Sequence, residues 1–423
     1  MLTKLETKLK QKDIKVVISN FFSLFILQGA TYILPLILLP YLVRVLGVEN
    51  FGILAFATAS VSFFRAVVAY GFELSGTQQI SIERDNIDKV SKIFSSILIV
   101  KFILSCLSFL VFSLILMFVD KFNMNWQVYL FTFFIVFGDV LFPIWYFQGI
   151  EKMKMITYIR VSYKIVFILA VILLIKEQSD YLYVPLLDSI GALAAGIFSL
   201  YYIYKKHNVY FFIPEISEIV FQFKNGWHIF ISRIAVILYT SINIFVLGIM
   251  TNNVAVGYYA IAEKIYMAIR SLFGPIIQAL FPYLVKKYKE NKEKYYVLVK
   301  KLSLVYFLSL LVFAILTYIF SPFLVDLISG KEIKESVEVL KILSIGIVFA
   351  IGGFYSNLLI IKSKGMLLSK ITLMTMILNL IIVIPAIYFY GIYGLACQFV
   401  FIQFFQAILQ IKFNYEVWSF KND

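Results

Sequence analysis

VVISNFFSLFILQGATYILPLILLPYLV, residues 16–43, contains no charged side chain. About 20 apolar residues suffice for a helix to cross the roughly 30 Å hydrocarbon core of a bilayer, and this run is longer. It is also too long for the apolar region of a signal peptide and has no small-x-small cleavage pattern. Despite the lysine-rich MLTKLETKLKQKDIK before it (1–15), it is read as a retained first span. The composition agrees with a membrane protein: 61% hydrophobic, 15% charged, mean hydropathy +0.90. That is more apolar surface than a water-soluble core can hide. The 43 Phe and 28 Tyr suit lipid-facing helices and interfacial belts.

Moving outward from that first run, eleven more follow, at about 50–72, 90–119, 127–150, 155–175, 183–204, 226–250, 254–281, 298–320, 337–361, 366–390 and 392–413. Connections are short and leave no room for a soluble domain. Pro35, Pro40, Pro143, Pro275 and Pro385 fall in or at the ends of spans. A kink there is tolerated only if neighbours or water satisfy the freed carbonyls. With a cytoplasmic N-terminus, 26 of the 38 Lys and Arg lie in cytoplasmic tails and loops, six on the opposite side and six within spans. One missed helix would invert every later loop, so this bias supports the division and puts both termini in the cytoplasm. The expected domains are 1–204, a six-helix bundle; 205–225, a cytoplasmic connector; and 226–423, a second six-helix bundle.

LGVENFGILAFA (46–57) is echoed by LGIMTNNVAVGYYAIA (247–262). Arg65 falls thirteen residues after Gly52, as Arg270 falls thirteen after Gly257. Matching arginines in matching helices suggest two halves related by duplication, a recurring plan in secondary transporters.

The net charge of +14 comes from short loops rather than a basic domain, so it does not indicate nucleic acid. Cys106 and Cys397 lie in separate apolar runs and form neither a disulfide framework nor a metal site. The informative charges are those inside spans: Arg65, Lys101, Lys164, Arg233, Lys264 and Arg270. An arginine at the bilayer centre costs about 2.5–3.5 kcal/mol on insertion scales, which favours a watery or protein-lined interior. Lys101, Lys164 and Lys264 have the alternative of snorkelling. Arg233, Thr240 and Asn243 form a polar stripe on one helix; Asn20, Ser23 and Thr31, with Gln28 alongside, form another. Both are candidate cavity walls, with hydrogen bonding between helices as the alternative. Asp139, Asp188 and Glu263 are the candidate ion-coupling carboxylates. Asp139 could instead pair with an arginine, Glu263 with Arg270, and Glu73 with Arg65. The interior is thus expected to be positive and its client an anion, with a phosphate or pyrophosphate group matching the arginine fork.

No enzyme is indicated. His207 and His228 have no metalloprotease spacing, there is no GxxxxGK[ST] loop, and GIYG (391–394) reads as a turn. No cofactor is expected, and transport would draw on a sodium or proton gradient, the membrane potential, the substrate gradient or a partner.

LPYLVRVLGVENFGILAFA (39–57), YGFELSGTQQIS (70–81), PIWYFQGIEKM (143–153) and NIFVLGIMTNNVAVGYYAIAEKI (243–265) together resemble the polysaccharide or O-antigen flippases of the multidrug/oligosaccharidyl-lipid/polysaccharide (MOP) exporter superfamily. The resemblance spans essentially the whole chain. It implies an all-α, MATE-like fold of twelve transmembrane helices in two six-helix bundles around a cavity that opens alternately to each face. It also implies transport, in O-antigen or lipopolysaccharide biosynthesis, of undecaprenyl-pyrophosphate-linked oligosaccharide outward across the bacterial inner membrane. By position, Arg65, Arg233, Arg270 and Lys164 would handle the pyrophosphate, and Arg44, Glu73 and Glu151 would serve helix ends or the gate. Gln78 stands where many relatives have arginine. A polysaccharide polymerase and a chain-length regulator are the implied partners of a functional monomer. The competing readings are a cation-coupled multidrug exporter of the same superfamily, a membrane scaffold for polysaccharide assembly and, behind these, a membrane-bound transferase.

Overall fold

The computed structural model describes the backbone of residues 2–415 and the side chains of 29, 34–231, 234 and 241–415. Those residues form helices and no strand: α1 Leu2–Ala69, α2 Phe72–Glu83, α3 Ile87–Phe118, α4 Asp120–Asn123, α5 Trp126–Leu141, α6 Ile144–Gly149, α7 Met153–Leu174, α8 Tyr183–His207, α9 Ile216–Met250, α10 Asn253–Ser271, α11 Gly274–Glu290, α12 Lys292–Ile319, α13 Ser321–Ser329, α14 Lys334–Val348, α15 Ile351–Ile361 and α16 Gly365–Lys412. In lipid every backbone group must be satisfied within the protein, which helices achieve.

Nine stretches among the described residues are long and apolar enough to span a bilayer, fewer than the twelve expected runs. Two of these stretches, Leu34–Glu83 and Gly365–Lys412, each join two expected runs. α1 continues past a break at Gly47 (φ 77°), and α16 past one at Gly391 (φ 57°).

The chain forms two compact units, Met1–Leu38 with Ser60–Ile234, and Leu39–Ala59 with Ala235–Asp423. These follow contacts rather than the boundaries drawn from polarity. Residues 205–225, expected as a connector, pack on the first unit: the main-chain N–H groups of Tyr210 and Phe212 donate to Ser91 and Ser95, and Tyr70 donates to the Phe223 carbonyl at 3.2 Å.

In the first unit, Trp145, Tyr146 and Phe147 pack with Phe72, Phe94 and Ile97 in a sealed core. The second unit contains the echoed segments, and they touch. A Cβ on Gly52 would overlap the Asn253 carbonyl, while one on Gly257 would overlap that of Val48. Val48 is to Gly52 as Asn253 is to Gly257, four residues earlier, so the contact is reciprocal. Only glycine permits this backbone approach.

Candidate functional site

Pro143 builds the site. It has no N–H to give the carbonyl four residues earlier, that of Asp139. α5 therefore ends at Leu141, Phe142 is extended and α6 restarts at Ile144. The orphaned Asp139 carbonyl accepts from Lys101 Nζ of α3 at 2.6 Å, and Lys101 is only 6% exposed. The charge points into the protein, which answers the snorkelling alternative for this residue.

The Asp139 carboxylate gathers two more cations. Arg65 Nε of α1 donates to Oδ2 at 2.7 Å, and Arg160 Nη2 of α7 stands 3.8 Å from Oδ1. The Arg160 guanidinium also lies 5.1 Å from the centre of the Phe142 ring, which the helix break presents to it. Arg65 keeps 41% of its side-chain surface accessible while it holds Asp139. Among the described residues its fork is hydrogen-bonded through Nε alone, so both terminal nitrogens can donate to a visiting oxyanion.

Beside this cluster, Lys164 Nζ of α7 is 2.6 Å from Asp188 Oδ1 of α8, and 5.1 and 4.9 Å from the Tyr163 and Phe167 ring centres. Asp188 and Tyr163 are within electrostatic reach of Arg65, and Glu73 within reach of Lys101. Four cations thus meet three carboxylates, and the neighbourhood keeps a net positive charge. Asp139 and Asp188, expected as ion-coupling groups, are here the counter-ions of basic residues. Arg160, near the start of the run 155–175, is not among the in-span charges singled out from the sequence. Its position four residues before Lys164, one turn along the same helix face, is the signal that would have placed it here.

The second unit is different. Arg270 Nη1 is 3.5 Å from the Tyr266 hydroxyl one turn earlier, and Glu263 is buried without an ion pair among the described residues. Asn243, expected on a cavity wall, is buried instead. Its Oδ1 accepts from Asn379 at 3.3 Å, and Asn379 accepts from Gln398, so the amide stripe joins helices. Buried amides need such partners in an apolar setting. Arg44 donates to the Leu327 and Ile328 carbonyls at 2.6 and 3.3 Å, capping the end of α13. Lys264 is exposed. The side chains of Asn20, Ser23, Gln28, Thr31, Arg233 and Thr240 lie outside the described residues.

The sequence matches the family described as polysaccharide biosynthesis protein over residues 17–288. The chain belongs to that family. It is 29% identical over 399 residues to a putative O-antigen transporter of Shigella dysenteriae, covering 93% of this chain and 98% of the relative. It is 30% identical over 371 residues to a putative O-antigen transporter of Escherichia coli (strain K12), covering 86% and 89%. In fold it is similar to an inward-facing multidrug resistance MATE family transporter of the MOP superfamily, with a TM-score of 0.71 at 15% identity over 95% of this chain and 98% of that one. The lipid II flippase MurJ, in an inward closed conformation, gives a TM-score of 0.71 at 13% identity over 97% and 94%. These likenesses carry the all-helical MATE-like fold of a multi-pass membrane protein. The named relatives are transporters, in keeping with the expectation that the chain is not an enzyme.

Two of the stretches that carried the family resemblance pack against each other. The Thr77 hydroxyl of GTQQ, closest to the Glu73 carbonyl one turn earlier, also lies 3.2 Å from the Trp145 carbonyl and 3.1 Å from Gln148 Oε1, and Arg84 reaches Glu151 at 3.2 Å. Gln79 and Gln222 exchange amide hydrogen bonds at 3.0 and 2.9 Å, tying α2 to α9. Glu73 lies in the first turn of α2. His207 is held by Tyr146 at 2.8 Å and Lys152 at 2.9 Å. Lys152 can only donate, so Nε2 accepts and Nδ1–H points to Tyr146, a packing role.

Proposed function

We propose that this protein is a flippase that moves undecaprenyl-pyrophosphate-linked oligosaccharide, of O-antigen or capsule type, from the cytoplasmic to the outer leaflet of the bacterial inner membrane. The observation that carries the reading is the positive cluster of Arg65, Lys101, Arg160 and Lys164 on membrane helices, with Arg65's terminal nitrogens available to an anion. In this reading the pyrophosphate exchanges for part of the hold that Asp139 has on Arg65 and Arg160. The carboxylate then keeps the arginines oriented when no substrate is present. The polyprenyl tail stays between helices while the sugars follow the crevice. Two six-helix halves, making up the expected twelve helices, rock to expose the site alternately to each face. Both termini are cytoplasmic, the monomer is the working unit, and a polymerase and chain-length regulator receive the product. The cycle runs on a sodium or proton gradient or on the membrane potential.

The reading is tested by reconstituting the purified protein in liposomes with a fluorescent polyprenyl-pyrophosphate oligosaccharide and measuring its accessibility to a quencher outside. Protein-dependent transbilayer movement is expected. Movement no faster than in empty liposomes, with an authentic repeat unit supplied, overturns the proposal.

A further inference from the structure

In the second unit, α12, the α14–α15 junction and α16 line a half-open slot of about 270 Å³. Its walls are Leu304 and Phe307 on one side, Phe349 and Tyr355 on another, and Phe404 and Ile408 on the third. Ser303, also at the wall, has its hydroxyl turned to the Lys300 carbonyl at 3.0 Å. Along α16 the slot runs from Phe404 to Ile411, about 10 Å at 1.5 Å per residue. A space lined by apolar side chains on three helices fits a stretch of hydrocarbon chain rather than a polar solute.

Its mouth is basic. Lys300 lies one turn before Leu304 on α12, and Lys412 one turn after Ile408 on α16; both are exposed. Lys362, just past α15, holds its Nζ 5.3 Å from the centre of the Tyr296 ring, one turn before Lys300. Three helices thus bring three lysines to one end of the slot, the end that meets the lysine-rich segments 286–301 and 362–370. Basic pockets between membrane helices at a leaflet surface attract anionic headgroups.

We propose that this slot is a binding site for an anionic diacyl phospholipid of the leaflet that meets those loops. One acyl chain lies between α12, α15 and α16, and the headgroup phosphate sits among Lys300, Lys362 and Lys412. The site is separate from the Arg65 cluster and does not depend on what that cluster carries.

The test is native mass spectrometry of the full-length protein titrated with phosphatidylglycerol or with phosphatidylcholine of identical chains. Phosphatidylglycerol is expected to bind at least about fivefold more tightly. The K300Q/K362Q/K412Q variant is expected to bring the two lipids within twofold, and I408W, which fills the slot, to weaken both. K412Q alone should narrow the preference if the triple variant does not fold. Equal binding of the two lipids by the intact protein, a preference unchanged in the lysine variants, or affinities unchanged in I408W overturns the proposal. So does displacement of phosphatidylglycerol by polyprenyl phosphate at equal or lower concentration, which would make the slot a seat for the carrier's tail.

Discussion

Arg65 and Arg270 occupy equivalent places after the echoed glycines, but their surroundings have diverged. Arg65 is gripped by a carboxylate that also holds Arg160 and whose main chain holds Lys101. Arg270 meets a phenol, and the polar groups of its unit include an amide chain buried between helices. The sequence echo pairs the two arginines but not their surroundings. The proline break beside Arg65 frees the Asp139 carbonyl, and the charged groups gather around that carbonyl and the Asp139 carboxylate. The difference lies in what each unit gathers: charged groups around Asp139 in the first, and hydrogen-bonded amides buried between helices in the second.

Four substitutions would break or sharpen that contrast. Asp139→Ala removes what distinguishes Arg65 from Arg270. It leaves Arg65 and Arg160 unscreened from each other, and transport should fall by about 30-fold, equivalent to about 2 kcal/mol. Retention of wild-type transport by the folded variant would make the carboxylate dispensable. Gly52→Ala and Gly257→Ala probe the shared scaffold. Because the contact is reciprocal, each should cost about 1–3 kcal/mol by overpacking, seen as similar drops in melting temperature of the purified protein. A large drop in one and none in the other would break the symmetry. Pro143→Ala restores an N–H that competes with Lys101 for the Asp139 carbonyl. A loss of one hydrogen bond suggests transport lower by about threefold, with Lys101 more reactive toward an amine label. Unchanged labelling would mean that the break does not position Lys101. Asn379→Leu, in the second unit, should cost only about 0.6–2 kcal/mol of stability and leave transport per folded molecule intact. A transport defect without a stability defect would return the amide chain to the substrate path.

Much of the fold was legible because lipid imposes simple demands. Uncharged runs of sufficient length, a one-sided lysine distribution and proline positions pointed to membrane helices and to a kink at Pro143. The family motifs were legible as a set, although two of them prove to be facing surfaces of α2 and α6. The site was legible only in part. Arg65, Lys164, Asp139 and Asp188 could be listed, but not which cation meets which carboxylate, because Arg65 and Asp139 are 74 residues apart. Arg160 was hidden by its closeness to a loop, where a basic residue ordinarily marks the cytoplasmic face. Asn243 shows the limit of periodicity, since a polar stripe looks the same whether it faces water or another amide. Arg44 shows another limit. Its partners, Leu327 and Ile328, are carbonyls at a distant helix end, and no side-chain pattern announces them.

The most direct test is the rate of flipping of a fluorescent polyprenyl-pyrophosphate oligosaccharide in proteoliposomes containing equal amounts of folded wild-type, R65A, R160A or R270A protein. A charge-assisted hydrogen bond of about 1.5–3 kcal/mol corresponds to a loss of roughly 10- to 150-fold for R65A, with R160A close to it and R270A reduced far less. Equal losses in R65A and R270A, or undiminished flipping in R65A and R160A, would contradict a pyrophosphate site built around Asp139.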